Sequence, residues 1–156
     1  MLDVGCGSGR YCVAFAARGA SRVIGVDFAP AMIELARSIA AEAGVADRCE
    51  YRVGGFPAAV PEKDFDVTTA MGFFDYVERP AEVLAAMRER TRGTIVMSFP
   101  KAIEWRVPAR RLRFVLMGCP LFLYTAARVR GLLAASGIAD YEWIALDRDY
   151  IVVARV

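Results

Sequence analysis

Three glycines at alternate positions near the start of the chain constrain the fold more than any other feature. A short apolar run, Leu2–Val4, precedes them, and the glycines stand at Gly5, Gly7 and Gly9. Apolar residues then recur at helical spacing over residues 10–18. The pattern predicts a strand, a glycine turn and a helix, in which bare backbone can approach a ligand and the first helical N–H groups point toward it.

The spacing of the glycines restricts the classes of ligand that the loop can bind. A dinucleotide-binding loop has the spacing G-x-G-x-x-G and a P-loop ends in Gly-Lys-Ser/Thr, and neither is present. Asp3, just before the loop, would repel a phosphate and attract a cationic ammonium or sulfonium group. Asp27 closes the next predicted strand, where a carboxylate can accept both hydroxyls of a ribose. These residues indicate a nucleoside with a positively charged tail, such as S-adenosylmethionine.

The rest of the chain alternates between predicted strands and helices. Further strands are predicted at residues 22–26, 50–53, 65–71, 94–99, 141–146 and 150–154. Further helices are predicted from Pro30 to a stop at Gly44, over 81–90 and over 125–136. The last two strands are separated by three residues, too few for a parallel crossover. We therefore expect a parallel sheet that ends in an antiparallel element.

Length and composition limit the classes of protein to which the chain can belong. With 156 residues, 56% of them hydrophobic, the chain can form one domain with a sizeable core. Its longest strongly apolar uncharged stretch is 14 residues, at 114–127, shorter than the roughly 20 that a membrane-spanning helix needs. The absence of histidine excludes His-based catalysis and His metal ligands, and the four cysteines form no CxxC pair, so no metal site is expected. Reduced thiols and the lack of a secretory signal predict a cytoplasmic protein.

Two segments carry a resemblance to a known family. LDVGCGSG at 2–9 and VIGVDFAPAMIELAR at 23–37 resemble the cofactor-binding half of the class I S-adenosylmethionine-dependent methyltransferases. The resemblance implies S-adenosylmethionine as cofactor and a three-layer, Rossmann-like α/β fold. It also implies the strand order 3-2-1-4-5-7-6 with strand 7 antiparallel, in a single domain over residues 1–156. The family usually has helices before the first strand, and we expect those N-terminal helices to be lacking here.

The resemblance assigns roles to residues of this chain. Cofactor-binding residues are expected at Asp3, Gly5, Cys6, Gly7, Gly9, Asp27, Phe28, Gly55, Phe56 and Met71. The resemblance implies that the loop glycines lie beside the methionine part of S-adenosylmethionine, that Asp27 holds its ribose and that Phe28 contacts its adenine. The family often has an acid after the third strand, where this chain has Gly54, Gly55 and Phe56, so adenine recognition would depend on backbone N–H groups and stacking. Alternatively, Phe28 and Phe56 could simply be core residues. Cys6 could be a small residue that fills space in the tight loop.

The function predicted is methyl transfer to a small or moderately apolar acceptor, with the methylated atom left open. Methyl transfer from a sulfonium depends mainly on alignment and desolvation, and a base is needed only if the acceptor must lose a proton. Asp75, Tyr76 and Tyr124 are the candidates for that base. The alternatives are a loop cap for Asp75 and a packing aromatic for Tyr76. For the whole chain, the alternative is a non-catalytic, methyltransferase-like module that binds a nucleoside or a partner.

A basic and apolar insert is predicted at about 101–124. Residues 101–130 contain seven basic side chains and one acid, a local charge of +6 that leaves −4 for the remainder. The basic residues are Lys101, Arg106, Arg110, Arg111, Arg113, Arg128 and Arg130. The insert is expected to be a solvated arginine face, a lid that selects an apolar acceptor with a carboxylate or phosphate, or a contact with an anionic membrane surface. Nucleic acid is not an expected acceptor, because no aromatic-interleaved basic run is present.

Overall fold

The computed structural model describes residues 1–102 and 120–156. In this part of the chain the strands are β1 (Leu2–Val4), β2 (Val23–Asp27), β3 (Cys49–Val53), β4 (Phe65–Ala70), β5 (Thr91–Pro100), β6 (Asp140–Ala145) and β7 (Asp149–Arg155). The helices are α1 (Arg10–Ala17), α2 (Pro30–Glu42), α3 (Pro80–Arg90) and α4 (Ala126–Ala135). Single 3-10 turns lie at Ala46–Arg48 and Phe74–Tyr76.

The strands form one sheet in the order β3-β2-β1-β4-β5-β7-β6. The pairs among β1 to β5 are parallel, whereas β7 is antiparallel to both β5 and β6. The predicted order and the predicted direction of strand 7 are therefore confirmed. The short gap before β7 is closed by a hydrogen bond of 2.9 Å from the Leu146 N–H to the carbonyl of Asp149, as a hairpin requires.

Helices cover both faces of the sheet. Neighbouring residues of β2 show this, because Val23 packs in the cluster formed with α1 and α2, whereas Ile24 packs in the cluster formed with α3 and α4. Successive side chains of a strand point to opposite faces, so the two clusters are the two cores of a three-layer fold. The larger core is centred on β1, β4 and β5, where Leu2, Ile95 and Met97 are fully buried.

The predicted element boundaries differ from the observed ones mainly at β5. This strand begins at Thr91, directly after α3, and not at residue 94. The Thr91 hydroxyl donates to the carbonyl of Met87 at 2.7 Å and lies 2.6 Å from the Thr68 hydroxyl, so it joins the end of the helix to the sheet. A polar residue that sequence analysis places in a loop is therefore a buried strand residue.

The predicted insert falls largely outside the described residues. Arg106, Arg110, Arg111 and Arg113 lie within 103–119, which the structure does not describe. Residues 120–125 are described, and a bridge between Lys101 and Tyr124 brings the two ends of the segment together beside β5. Among the described helices, none has the length and apolar character needed to cross a membrane.

Candidate functional site

A cavity of about 460 Å³ lies at the carboxyl ends of β1, β2, β3 and β4. Its volume is within the range typical of small-molecule sites. Parallel α/β sheets bind ligands at this edge, where the strand order reverses between β1 and β4. The cavity is lined by Gly5, Gly7, Val26, Asp27, Phe28, Ala29, Met32, Gly54, Gly55, Phe56, Gly72, Phe73, Tyr76 and Val77. Six of the ten predicted cofactor-binding residues are in that set: Gly5, Gly7, Asp27, Phe28, Gly55 and Phe56.

The glycine loop is attached to β2 through its backbone. The N–H groups of Gly5 and Cys6 both donate to the carbonyl of Val26, at 2.9 and 3.0 Å. The N–H of Gly7 donates to Oδ2 of Asp27 at 2.9 Å. These bonds fix the path of the loop over the end of β2, and they bring Gly7 and Asp27 to the same wall of the cavity.

Gly7 is one of the glycines of the cavity wall that have a positive φ. Its φ is +50°, a value that L-residues with side chains rarely adopt. Gly7 lines the cavity, and a Cβ built on it would meet no atom within 4 Å apart from those of its chain neighbours. The backbone is therefore bare at a point where a ligand can approach it closely.

Asp27 is the only carboxylate among the described residues that line this cavity. Its Oδ2 accepts the bond from Gly7, and its Oδ1 accepts a bond of 2.9 Å from the N–H of Ala29, at the start of α2. Each carboxylate oxygen has two lone pairs, so each can accept one further hydrogen bond. Asp27 is thus held in place by the backbone and can still accept bonds from a pair of hydroxyl groups.

Aromatic side chains also line the cavity. Phe28 is 75% exposed, so the alternative of a core residue is wrong for it. Phe56 is partly buried against the core, and the Arg90 guanidinium lies 5.7 Å from the centre of its ring. A flat ring placed in the cavity could stack on either side chain.

Three predicted cofactor-binding residues lie beside this cavity without lining it. Asp3 is 1% exposed, and it accepts hydrogen bonds from the Thr69 hydroxyl at 2.6 Å and the Cys12 thiol at 3.4 Å. Burial raises the pKa of Asp3 to about 6. Cys6 is buried in the smaller core, as a filler of the loop would be. A Cβ on Gly9 would overlap the Tyr51 hydroxyl, so close packing requires that glycine.

The three candidate bases lie in different places. Tyr76 lines the first cavity and is half exposed. Tyr124 is fully buried, lines neither cavity described here, and donates to the carbonyl of Phe74 at 3.2 Å. Burial also raises the pKa of Tyr124, which accords with a place in the core. Asp75 lines a second, neighbouring cavity.

The second cavity has a volume of about 440 Å³ and adjoins the first through Gly72, which lines both. Its lining consists of Tyr11, Met71, Gly72, Asp75, Ser98, Leu146, Asp149 and Ile151. Sequence analysis missed Ser98 and Asp149. Both could have been found from the topology, because β5 ends and the antiparallel β7 begins at the same edge of the sheet as the glycine loop.

Sequence comparison identifies a family and several relatives. A family model described as a methyltransferase domain matches residues 1–93. A ubiquinone biosynthesis O-methyltransferase of Neisseria meningitidis is 43% identical over 89 residues, which cover 55% of this chain and 37% of that protein. One from Saccharophagus degradans is 39% identical over 87 residues, 55% of this chain and 36% of that protein. The chain thus spans little more than a third of the length of these relatives.

Structure comparison supports the fold. An S-adenosylmethionine-dependent methyltransferase from Mesorhizobium loti superposes with a TM-score of 0.83 at 21% identity, covering 99% of this chain and 89% of that one. A magnesium protoporphyrin IX methyltransferase from Synechocystis, solved with bound SAH, superposes with a TM-score of 0.77 at 18% identity, covering 99% of this chain and 72% of that one. At these identities the superpositions establish a shared architecture.

Proposed function

We propose, because this chain belongs to the class I S-adenosylmethionine-dependent methyltransferases, that it binds S-adenosylmethionine in the first cavity and transfers the methyl group to a small acceptor. The observation that carries the proposal is the joint arrangement of Gly7 and Asp27. A bare backbone with positive φ lies next to a carboxylate that is held at both oxygens and can still accept hydrogen bonds. This arrangement suits a ribose whose two hydroxyls face Asp27.

The cavity fits the cofactor in chemistry and in size. Asp27 would hold the ribose, while Gly5 and Gly7 would face the methionine part. Phe28 and Phe56 would stack on adenine, whose edge would meet the backbone of Gly54–Gly55. S-adenosylmethionine supplies an activated methyl group on a sulfonium. The contributions of this chain are to orient the cofactor and to exclude water through the apolar lining.

The acceptor atom that we propose is oxygen. The relatives from Neisseria and Saccharophagus are named as O-methyltransferases, and each matches 55% of this chain. Because this chain spans only part of their length, the reaction on oxygen is carried here as a proposal. We also propose that the acceptor is an apolar compound that carries a carboxylate or phosphate. This is supported by the excess of basic residues over 101–130 in the sequence. We also propose that the protein is cytoplasmic.

Two measurements test the proposal. Calorimetric titration with S-adenosylhomocysteine should show one site, and Asp27→Ala should weaken that site. Radiolabelled S-adenosylmethionine and a panel of hydroxylated aromatic compounds should then give labelled product with the parent protein. Absence of cofactor binding by the parent protein would refute the proposal. Cofactor binding without transfer to any acceptor would favour the non-catalytic module.

A further inference from the structure

The segment between β3 and β4 supplies part of the wall of the first cavity. Residues 54–64, all of which the structure describes, form no helix or strand. Within the segment, the N–H of Ala59 donates to the carbonyl of Gly55 at 3.0 Å, and the N–H of Val60 donates to the carbonyl of Pro57 at 3.1 Å. These bonds close turns of the backbone but do not orient the Phe56 side chain, which lines the cavity. Contacts from other elements therefore bear on the position of that ring.

Arg90, the last residue of α3, makes two contacts with this segment. Its Nε donates to the carbonyl of Val60 at 3.1 Å, and its guanidinium carbon lies 5.7 Å from the centre of the Phe56 ring. A cation within about 6 Å of an aromatic centroid, over the face of the ring, is attracted to it. One side chain thus contacts both the backbone of the turn and an aromatic ring of the cavity wall.

The guanidinium of Arg90 is itself held in place. Its NH1 group donates to the carbonyl of Ala86 in the same helix at 3.3 Å and lies 3.3 Å from Oε2 of Glu89. The Arg90 side chain is only 15% exposed, and Val60 is fully buried. Because a guanidinium is planar and rigid, bonds to α3 and to Val60 restrict its orientation against Phe56. Its low exposure also strengthens the attraction between the cation and the ring.

A second arginine holds the same segment by different contacts. The NH1 group of Arg52, on β3, donates to the carbonyl of Ala59 at 3.1 Å and to Oε2 of Glu62 at 2.8 Å. Arg52 therefore contacts the backbone and an acid of the segment. Arg90 contacts, in addition, a side chain that lines the cavity, although Arg90 does not line the cavity itself.

We propose that Arg90 is a positioning residue for cofactor binding, which holds the Phe56 ring where adenine stacks on it. The proposal rests on the proposed function, because that function places adenine beside Phe56. Arg90 acts through the ring and does not touch the cofactor. It therefore affects the part of the binding affinity that comes from the base, and not the part that comes from the ribose and methionine.

The test compares two ligands that differ at the base. S-adenosylhomocysteine carries adenine, whereas S-ribosylhomocysteine carries a hydroxyl in its place. Calorimetric titration of both gives the ratio of their affinities, the adenine preference. Arg90→Met keeps an unbranched side chain but removes the charge and every donor. It should lower the adenine preference about fivefold and leave the affinity for S-ribosylhomocysteine unchanged, whereas a general loss of structure would weaken both ligands alike.

Arg88→Met is the matched control. Arg88 lies on the same helix, and its Nε also donates to a backbone carbonyl at 3.1 Å, but that carbonyl belongs to Gly137. The adenine preference of this variant should equal that of the parent protein. Phe56→Leu should lower the adenine preference, and Arg90→Met added to Phe56→Leu should cause no further loss, because the ring through which Arg90 acts is then absent.

The outcomes separate this inference from the proposed function. If Arg90→Met does not fold, as judged by thermal melting, Arg90→Gln decides, because it keeps a donor for Val60 and removes the charge. An unchanged adenine preference in a folded Arg90 variant would overturn this inference, as would an equal loss from Arg90→Met with and without Phe56. In both cases, binding of S-adenosylhomocysteine by the parent protein leaves the proposed function standing. Failure of the parent protein to bind S-adenosylhomocysteine would refute the proposed function, and this inference with it.

Discussion

Replacing Asp3 with Asn should stabilise the protein at neutral pH. Asp3 lies on β1 beneath the glycine loop, and its carboxyl accepts hydrogen bonds from Thr69 and Cys12. Burial nevertheless raises its pKa from 3.8 to about 6, because desolvation of the charge outweighs those two bonds. At pH 7 the folded protein therefore contains an ionised carboxylate that would be more favourably solvated in the unfolded chain. Asn retains an oxygen that can accept the Thr69 bond and has no charge to bury.

The size of the effect follows from the two pKa values. They differ by about 2, and each unit of pKa corresponds to about 1.4 kcal/mol, so the ionised form costs about 3 kcal/mol of folding free energy. The sign is that of a group whose pKa is raised on folding. Its contribution to stability is fully present below the unfolded pKa of 3.8 and is lost as the pH rises through about 6. The advantage of Asp3→Asn should therefore grow between those values and reach a plateau near pH 7.

Urea unfolding at several pH values between 4.5 and 8 measures the effect. The relevant quantity is the free energy of unfolding of Asp3→Asn minus that of the parent protein, because this difference cancels the titration of the other groups. Asp140→Asn serves as a control for removal of an exposed charge, for which a change within about 1 kcal/mol is expected. A difference for Asp3→Asn that is flat with pH would refute the reasoning, since it would show that ionisation of Asp3 is not coupled to folding.

Three further predictions concern the first cavity and helix α4. Asp27→Ala should weaken S-adenosylhomocysteine binding by about 1.5–3 kcal/mol, because it removes a charge-assisted acceptor and also leaves the N–H groups of Gly7 and Ala29 without it; unchanged affinity in calorimetry would remove Asp27 from the site. Gly7→Val should weaken binding further, since it combines backbone strain at a φ of +50° with a new side chain on a residue that lines the cavity; a folded variant with parental affinity would contradict this. Thr125→Ala should destabilise the protein by about 1 kcal/mol in urea unfolding, because the Thr125 side chain accepts from the N–H of Arg128 as the N-cap of α4; no change in stability would show that the cap is dispensable.

Sequence analysis was most accurate where local chemistry determines the structure. Asp27 and Gly7 could be assigned to the same wall because each follows a predicted strand, and parallel strands bring their carboxyl ends to one edge. The three-residue gap before β7 excluded a parallel connection and so fixed the antiparallel hairpin. The complete strand order was obtained from the family resemblance, since alternation of strands and helices is compatible with several orders.

The placement of other side chains depends on packing that a single sequence does not reveal. Asp3 precedes the loop in sequence, but the strand pleat turns its side chain toward Thr69 and away from the cavity. Tyr124 follows β5 in sequence, but its ring packs edge-on against that of Phe99 at a centroid distance of 5.2 Å, which places it in the core. The topology brings the end of β5 and the start of β7 to one edge, but a single sequence does not show that Tyr11 of α1 joins them to line the second cavity.

The 3-10 turn Phe74–Tyr76 lies between the two cavities and is held by the core of the sheet. Phe74 anchors this turn through its stacking on Phe99, whose ring in turn packs edge-on against Tyr124, so the turn is supported by the core of the sheet. Because the core holds the turn, Asp75 and Tyr76 line different cavities without any rearrangement on binding. Preorganisation of this kind lowers the entropic cost of aligning two ligands, which is the main contribution that a methyl-transferring protein has to make.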